Sequence, residues 1–171
     1  VEDEEELRLL GAGLGSLAEV PLLEAAGSRL RVLHLHGNRL VSVAGLHVAC
    51  PSLERLVLSS NEISSLDGLS GLELLRHLDL SSNCVESLQG LEGLVALEEL
   101  SAAHNRICRL DGLQPFRGPS CRLRRLDLRD NAIQLLGELL LLGGLTGLRE
   151  LRFQGQGGRR GNPVCRLAGY R

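Results

Sequence analysis

Leu75-Arg76-His77-Leu78-Asp79-Leu80-Ser81-Ser82-Asn83 decides how this chain folds. Leucine stands at the first, fourth and sixth positions and asparagine at the ninth. The same frame precedes Asn38, Asn61, Asn105 and Asn131, with Ala102 in place of one leucine before Asn105. Asn38, Asn61, Asn83 and Asn105 lie 23, 22 and 22 residues apart, and Asn105 to Asn131 is 26. A fixed period of that size predicts a solenoid, in which each unit buries its apolar side only against its neighbours.

Each unit has two halves. The first, as in Leu78-Asp79-Leu80, alternates and predicts a short strand with its leucines inward. The second steps by three, as in Ile63, Leu66, Leu69, Leu72 and Leu75, and again in Val85, Leu88, Leu91, Leu94 and Leu97. Residues three apart eclipse in a 3₁₀ helix, so this stripe faces the core from the opposite side. The expected fold is an α/β solenoid: a right-handed superhelix with a parallel concave sheet and mostly 3₁₀ or short helical convex segments. The repeat resembles the short intracellular type of leucine-rich repeat.

The asparagine ends each strand. Its amide donates to backbone carbonyls and its oxygen accepts a backbone N–H, pairing groups that the turn would otherwise bury. Asn38, Asn61, Asn83, Asn105 and Asn131 are therefore read as a structural ladder. Gln156 stands at the corresponding position after the last strand, and Asn162 is read as opening a different element, Asn162-Pro163-Val164-Cys165.

The expected organisation is an acidic tail over 1–6, a half-repeat plus about six repeats over 7–154, and a glycine-rich loop with a partial cap over 155–171. Full repeats start at Leu30, Leu53, Leu75, Leu97, Leu123 and Leu148. Repeat 4 runs long through Pro115, Gly118, Pro119 and Cys121. Repeat 5 adds one step of three, Ile133, Leu136, Leu139, Leu142, Leu145 and Leu148, enough for an α-helix. Within the cap, Val164, Leu167 and Tyr170 are the residues available to cover the last leucine layer.

Composition narrows the class. Aromatics are 2% of 171 residues, so leucine must fill the core. Net charge is −2, but residues 1–120 carry −8 and residues 121–171 carry +6. Lysine is absent, so every basic side chain is an arginine, suited to bidentate contact with carboxylates or phosphates. Five cysteines, Cys50, Cys84, Cys108, Cys121 and Cys165, are scattered without a CxxC pair and read as free thiols of a reducing, cytoplasmic compartment. The amino terminus is acidic, unlike a signal peptide, and no apolar run reaches the length of a membrane span.

Function is expected on the outward strand positions. In order these are Val32, His34, His36; Arg55, Val57, Ser59; His77, Asp79, Ser81; Glu99, Ser101, Ala103; Arg125, Asp127, Arg129; and Glu150, Arg152. The partner-binding set is His34, His36, Arg55, Val57, His77, Asp79, Glu99, Ser101, Arg125, Asp127 and Arg129. The bland alternative is a solvated face, but a repeat array presents this surface preformed. His34, His36 and His77 are the conceivable zinc ligands. His34 and His36 point the same way, but His77 lies two strands off, roughly 10 Å and too far for one metal. Cys84 and Cys108 follow ladder asparagines without a visible base or oxyanion site. No phosphate loop or serine elbow occurs. The chain therefore reads as no enzyme and calls for no cofactor. The arginine-rich end lacks the stacking aromatics of a nucleic-acid site, so the expected partner is protein.

Over nearly its whole length the chain resembles the SDS22-like class of leucine-rich repeat proteins. Three stretches resemble centrosomal proteins in which such repeats precede a coiled coil: Leu33-His34-Leu35-His36-Gly37-Asn38, the insertion from Leu113 to Leu123, and Asn162-Pro163-Val164-Cys165-Arg166-Leu167-Ala168-Gly169-Tyr170-Arg171. The long fifth convex segment, Leu135 to Leu148, fits the same pattern. That resemblance implies a centrosome or centriole protein supporting spindle poles, mitosis or cilia. It also implies dimerisation through a coiled coil absent here, and so a fragment. The SDS22-like resemblance implies instead a regulatory subunit docked on a phosphatase. A ribonucleoprotein adaptor is a third reading, against which the acidic first 120 residues argue.

Overall fold

A computed structural model describes residues 5–155 and 161–166. Seven three-residue strands form one parallel sheet in sequence order: β1 (Glu6–Arg8), β2 (Val32–His34), β3 (Arg55–Val57), β4 (His77–Asp79), β5 (Glu99–Ser101), β6 (Arg125–Asp127) and β7 (Glu150–Arg152). The central residues Leu7, Leu33, Leu56, Leu78, Leu100, Leu126 and Leu151 share one register row. Leu33 and Leu56 are fully buried, whereas Leu151 at the end of the array is 42% exposed. Strand β1 begins inside the stretch expected as an acidic tail, and the Glu5 carbonyl accepts from the N–H groups of Arg31 and Val32.

The ladder holds the turns together. Asn83 shows the pattern: its oxygen accepts from Ile63 N–H at 3.0 Å, and its amide donates to Leu58 and Leu80 carbonyls at 3.0 Å each. Asn38, Asn61, Asn105 and Asn131 repeat it with their own neighbours. The expectation for Asn162 needs correcting. Its oxygen accepts from Ile133 N–H, and its amide donates to Leu128 at 2.8 Å and Phe153 at 2.9 Å. Asn162 is therefore a sixth rung, while Gln156 lies outside the described residues. The residue before each of the first five asparagines is left-handed: Gly37, Ser60, Ser82, His104 and Asp130 have φ between 53° and 71°. Four of these are not glycine, so the turn imposes that conformation against its usual cost.

The convex side is mostly a chain of separate turns. Leu69, Leu72 and Leu75 each donate to the carbonyl three residues back, as do Leu94 and Leu97. A serine opens the segment in three repeats, with Ser42, Ser65 and Ser87 hydroxyls accepting from the N–H two residues on. A glycine follows three residues later, and Gly68 and Gly90 adopt φ of +100°. Three short α-helices stand among these turns: α1 (Pro21–Ala26), α2 (Leu46–Ala49) and α3 (Leu136–Leu142). Repeat 4 carries a 3₁₀ segment, Asp111–Phe116, that buries Leu113 and Phe116. Helix α3 corrects the expected stripe: Leu139 and Leu142 pack on the core, but Leu136 is 45% exposed. An α-helix turns through 3.6 residues, so a strict step of three drifts off its inner face. Glu138 ties α3 to repeat 4 by accepting from Leu110 N–H at 2.7 Å. At the carboxyl end Val164 is fully buried, and Leu167 and Tyr170 lie outside the described residues.

Candidate functional site on the strand face

Three rows of side chains leave the sheet on the side away from the core. Val32, Arg55, His77, Glu99, Arg125 and Glu150 align along one row, and His34, Val57, Asp79, Ser101, Asp127 and Arg152 along the next. A third row follows the strands: His36, Ser59, Ser81, Ala103 and Arg129. Expected outward residues thus share one face, with two corrections. Ser59, which meets His36, is 9% exposed and Ala103 is 3% exposed.

Many of these groups already satisfy one another. Arg129 binds Asp127 through two guanidinium nitrogens, at 3.0 and 2.7 Å, which raises its pKa further above the ordinary value. Arg125 pairs with Glu99 on the neighbouring strand, and Arg152 pairs with Glu150 at 2.6 Å. Asp79 and Asp127 occupy equivalent positions, and each accepts the N–H two residues on. His36 Nδ1 meets the Ser59 hydroxyl at 2.9 Å, and the Ser81 and Ser101 hydroxyls meet at 2.7 Å. Among the described residues His36 has no carboxylate within ion-pair distance.

His34 Nε2 lies 3.2 Å from Glu6, two strands from His77. Among the described residues no three His, Cys, Asp or Glu side chains converge as a metal site requires. His77 stands in its row between Arg55 and Glu99. Its Nδ1 is 3.4 Å from Glu99 without forming a hydrogen bond. Burial lowers its pKa below the ordinary imidazole value, and Arg55 beside it adds to that shift. Arg55 has no ion-pair partner among the described residues, and Val57 is half-buried next to it. A groove of about 260 Å³ crosses β5 to β7, lined by Glu99, Ser101, Arg125, Asp127, Glu150 and Arg152. Its charged walls suit a polypeptide surface better than a small apolar ligand.

One row escaped the sequence reading. Glu5, Arg31, Glu54, Arg76, Glu98, Arg124 and Arg149 each stand two residues before a central leucine. Strict alternation would turn them inward, but each strand is only three residues long. The Arg31, Glu54, Arg76, Glu98 and Arg124 carbonyls each accept two successive N–H groups from the next repeat, just before its strand begins. The side chains line the edge of the sheet. Arg31 bridges Glu5 at 3.2 Å and also pairs with Glu54, and Arg76 reaches Glu54 at 3.8 Å and Glu98 at 3.7 Å. The legible signal was a charge at one fixed offset from a leucine in every repeat.

The cysteines are all free. Cys50 is fully buried, and burial pushes its pKa up to about 11, whereas Cys108 is exposed. Among the described residues no helix is long and apolar enough to cross a membrane.

Comparison with known proteins agrees with this geometry. A leucine-rich repeat family model matches residues 28–84, and a second model, of paired leucine-rich repeats, matches residues 73–115. No curated protein matches the sequence. Among solved structures, the internalin InlF of Listeria monocytogenes is similar with a TM-score of 0.69 and 18% identity over 86% of this chain. A leucine-rich repeat protein of Leptospira interrogans is similar at 0.64 and 24% over 73%. Internalin C2 of Listeria monocytogenes gives 0.60 and 23% over 80%. The chain spans 46%, 31% and 66% of those three chains, so the likeness is one of fold. With the ladder, the seven-stranded parallel sheet and both repeat models in agreement, the chain is a leucine-rich repeat protein.

Proposed function

We propose that this chain is a protein-binding module, seating its partner on the strand face, within a centrosomal or centriolar scaffold that supports spindle poles, mitosis or cilium formation. The observation that carries the binding role is the preformed face itself. Seven parallel strands hold three rows of polar and charged side chains that differ from repeat to repeat, while the inward leucines hardly vary. A surface already ordered before binding loses little entropy when a partner docks. The centrosomal setting is supported by the resemblance of Leu33 to Asn38, Leu113 to Leu123 and Asn162 to Arg171 to repeat domains that precede a coiled coil. In that setting a downstream coiled coil would dimerise the module.

Proximity labelling in cells with the natural full-length protein tests the setting. Centriole and spindle-pole proteins should be enriched. Enrichment of a phosphatase catalytic subunit or of small nuclear ribonucleoproteins instead would overturn it in favour of a docking subunit or a ribonucleoprotein adaptor.

A further inference from the structure

The charged row at the sheet edge alternates in sign through six rungs: Glu5, Arg31, Glu54, Arg76, Glu98 and Arg124. The seventh breaks the rule, because Arg149 follows Arg124. The two are adjacent, with Arg149 N–H donating to the Arg124 carbonyl at 2.8 Å. Neighbouring parallel strands are about 4.8 Å apart, so two exposed guanidinium groups leave the same edge side by side. Like charges facing each other across strands oppose folding. The carboxylates nearby do not relieve them. Glu98 is engaged by Arg76, Glu99 by Arg125, and Glu150 by Arg152. Among the described residues neither Arg124 nor Arg149 has a carboxylate within ion-pair distance. A groove beside them is lined by Glu98, Glu99, Arg124, Arg125, Arg149 and Glu150.

We infer that Arg124 and Arg149 form the seat for an aspartate or glutamate side chain of the protein partner, which completes the alternating ladder from outside. The inference rests on the strand-face reading above. Two guanidinium forks converging on one carboxylate give the bidentate geometry at which arginine excels. The surroundings favour a carboxylate over a phosphate. Glu98, Glu99 and Glu150 crowd the seat, and they repel a dianion more strongly than a monoanion. The earlier rungs are self-neutralised, so they contribute register rather than attraction, and the partner's acidic segment is drawn to the β6–β7 end.

The test titrates a fluorescent octaglutamate peptide against the protein at low salt, where such contacts are least screened. Removing two charges at the seat, Arg124→Gln with Arg149→Gln, should weaken binding by about tenfold or more. The matched control, Arg39→Gln with Arg106→Gln, removes two exposed charges that have no ion-pair partner among the described residues and lie outside the strands, and should change binding by less than about twofold. Equal losses in both double variants would mean that only net charge matters and would overturn the inference. So would tighter binding of a phosphoserine peptide than of octaglutamate. The single variant Arg149→Glu restores alternation and should raise Tm at low salt but not at high salt; a lower Tm at low salt contradicts the repulsion. Failure here is separable from failure of the face assignment. If a captured partner binds the Arg124→Gln, Arg149→Gln protein as tightly as wild type yet is lost with Arg125→Glu and Arg129→Glu, the seat is wrong and the face stands.

Discussion

A single ladder asparagine replaces three backbone partners that its turn cannot otherwise find. Asn83 is buried and bonds one N–H and two carbonyls of its own and the preceding repeat. Asn83→Ala should cost about 1–3 kcal/mol, and each kcal/mol lowers Tm by roughly 2–4 °C in a domain of this size. An unchanged melt would remove the ladder from the explanation of stability. Leu80 is fully buried, and Leu80→Ala should cost more, about 2–5 kcal/mol, through the cavity it leaves. Thiol reactivity separates the cysteines. Native protein should modify rapidly at exposed Cys108 and not at Cys50, whose thiol is buried with its pKa near 11; mass spectrometry after brief iodoacetamide treatment reads this directly. His77 gives a pH dependence. Its folded pKa is lowered, so the unfolded chain binds the proton more readily. Stability should therefore fall as pH drops through the ordinary imidazole value of about 6.5. His77→Gln should flatten that part of the curve relative to wild type; two superimposable pH profiles would refute it. Five rungs were legible because each follows the same nine-residue frame. Asn162 was not, since nine positions separate it from Phe153 where three separate Asn83 from Leu80, and hydrogen bonding alone identifies it.

Repeats touch backbone to backbone on the convex side, and this is where glycine is required. A side-chain carbon at Gly93 would overlap the Ser70 carbonyl oxygen, and one at Gly68 would meet the Val43 carbonyl oxygen at 2.6 Å while φ is +100°. Gly93→Ala should therefore lower stability by about 1–3 kcal/mol through overpacking, with chemical denaturation as the readout; a variant as stable as wild type would mean the turns are looser than they stand. The strands and the three-residue steps were legible because their periods differ, two against three. Helix α3 was legible as an element but not in its facing, since a step of three and a turn of 3.6 residues part company within two turns. The edge row from Glu5 to Arg149 was hidden for the opposite reason: strands of three residues end before alternation can assign the next side chain.

At the scale of the whole molecule, uniform leucines stack into one core and variable side chains gather on one face. That division makes folding a matter of neighbouring repeats and binding a matter of which repeats the partner crosses. The face was legible in outline, because alternation assigns outward positions. Its internal pairing was not, because Glu99–Arg125 and His36–Ser59 join residues more than twenty apart in sequence. With the flanking residues, β1 to β3 carry Glu5, Glu6 and Glu54 against Arg8, Arg31 and Arg55, whereas β6 and β7 carry Arg124, Arg125, Arg149 and Arg152 against Asp127 and Glu150. Binding should therefore be sensitive to changes on that face and indifferent to the convex side. The decisive comparison measures the affinity of a captured partner for two variants whose melting matches wild type. Arg125→Glu with Arg129→Glu, on the strand face, should weaken binding by about tenfold or more, while Glu92→Arg, exposed on the convex side, should leave it unchanged. Loss of binding with Glu92→Arg and full binding with the strand-face pair would contradict the strand face as the binding surface.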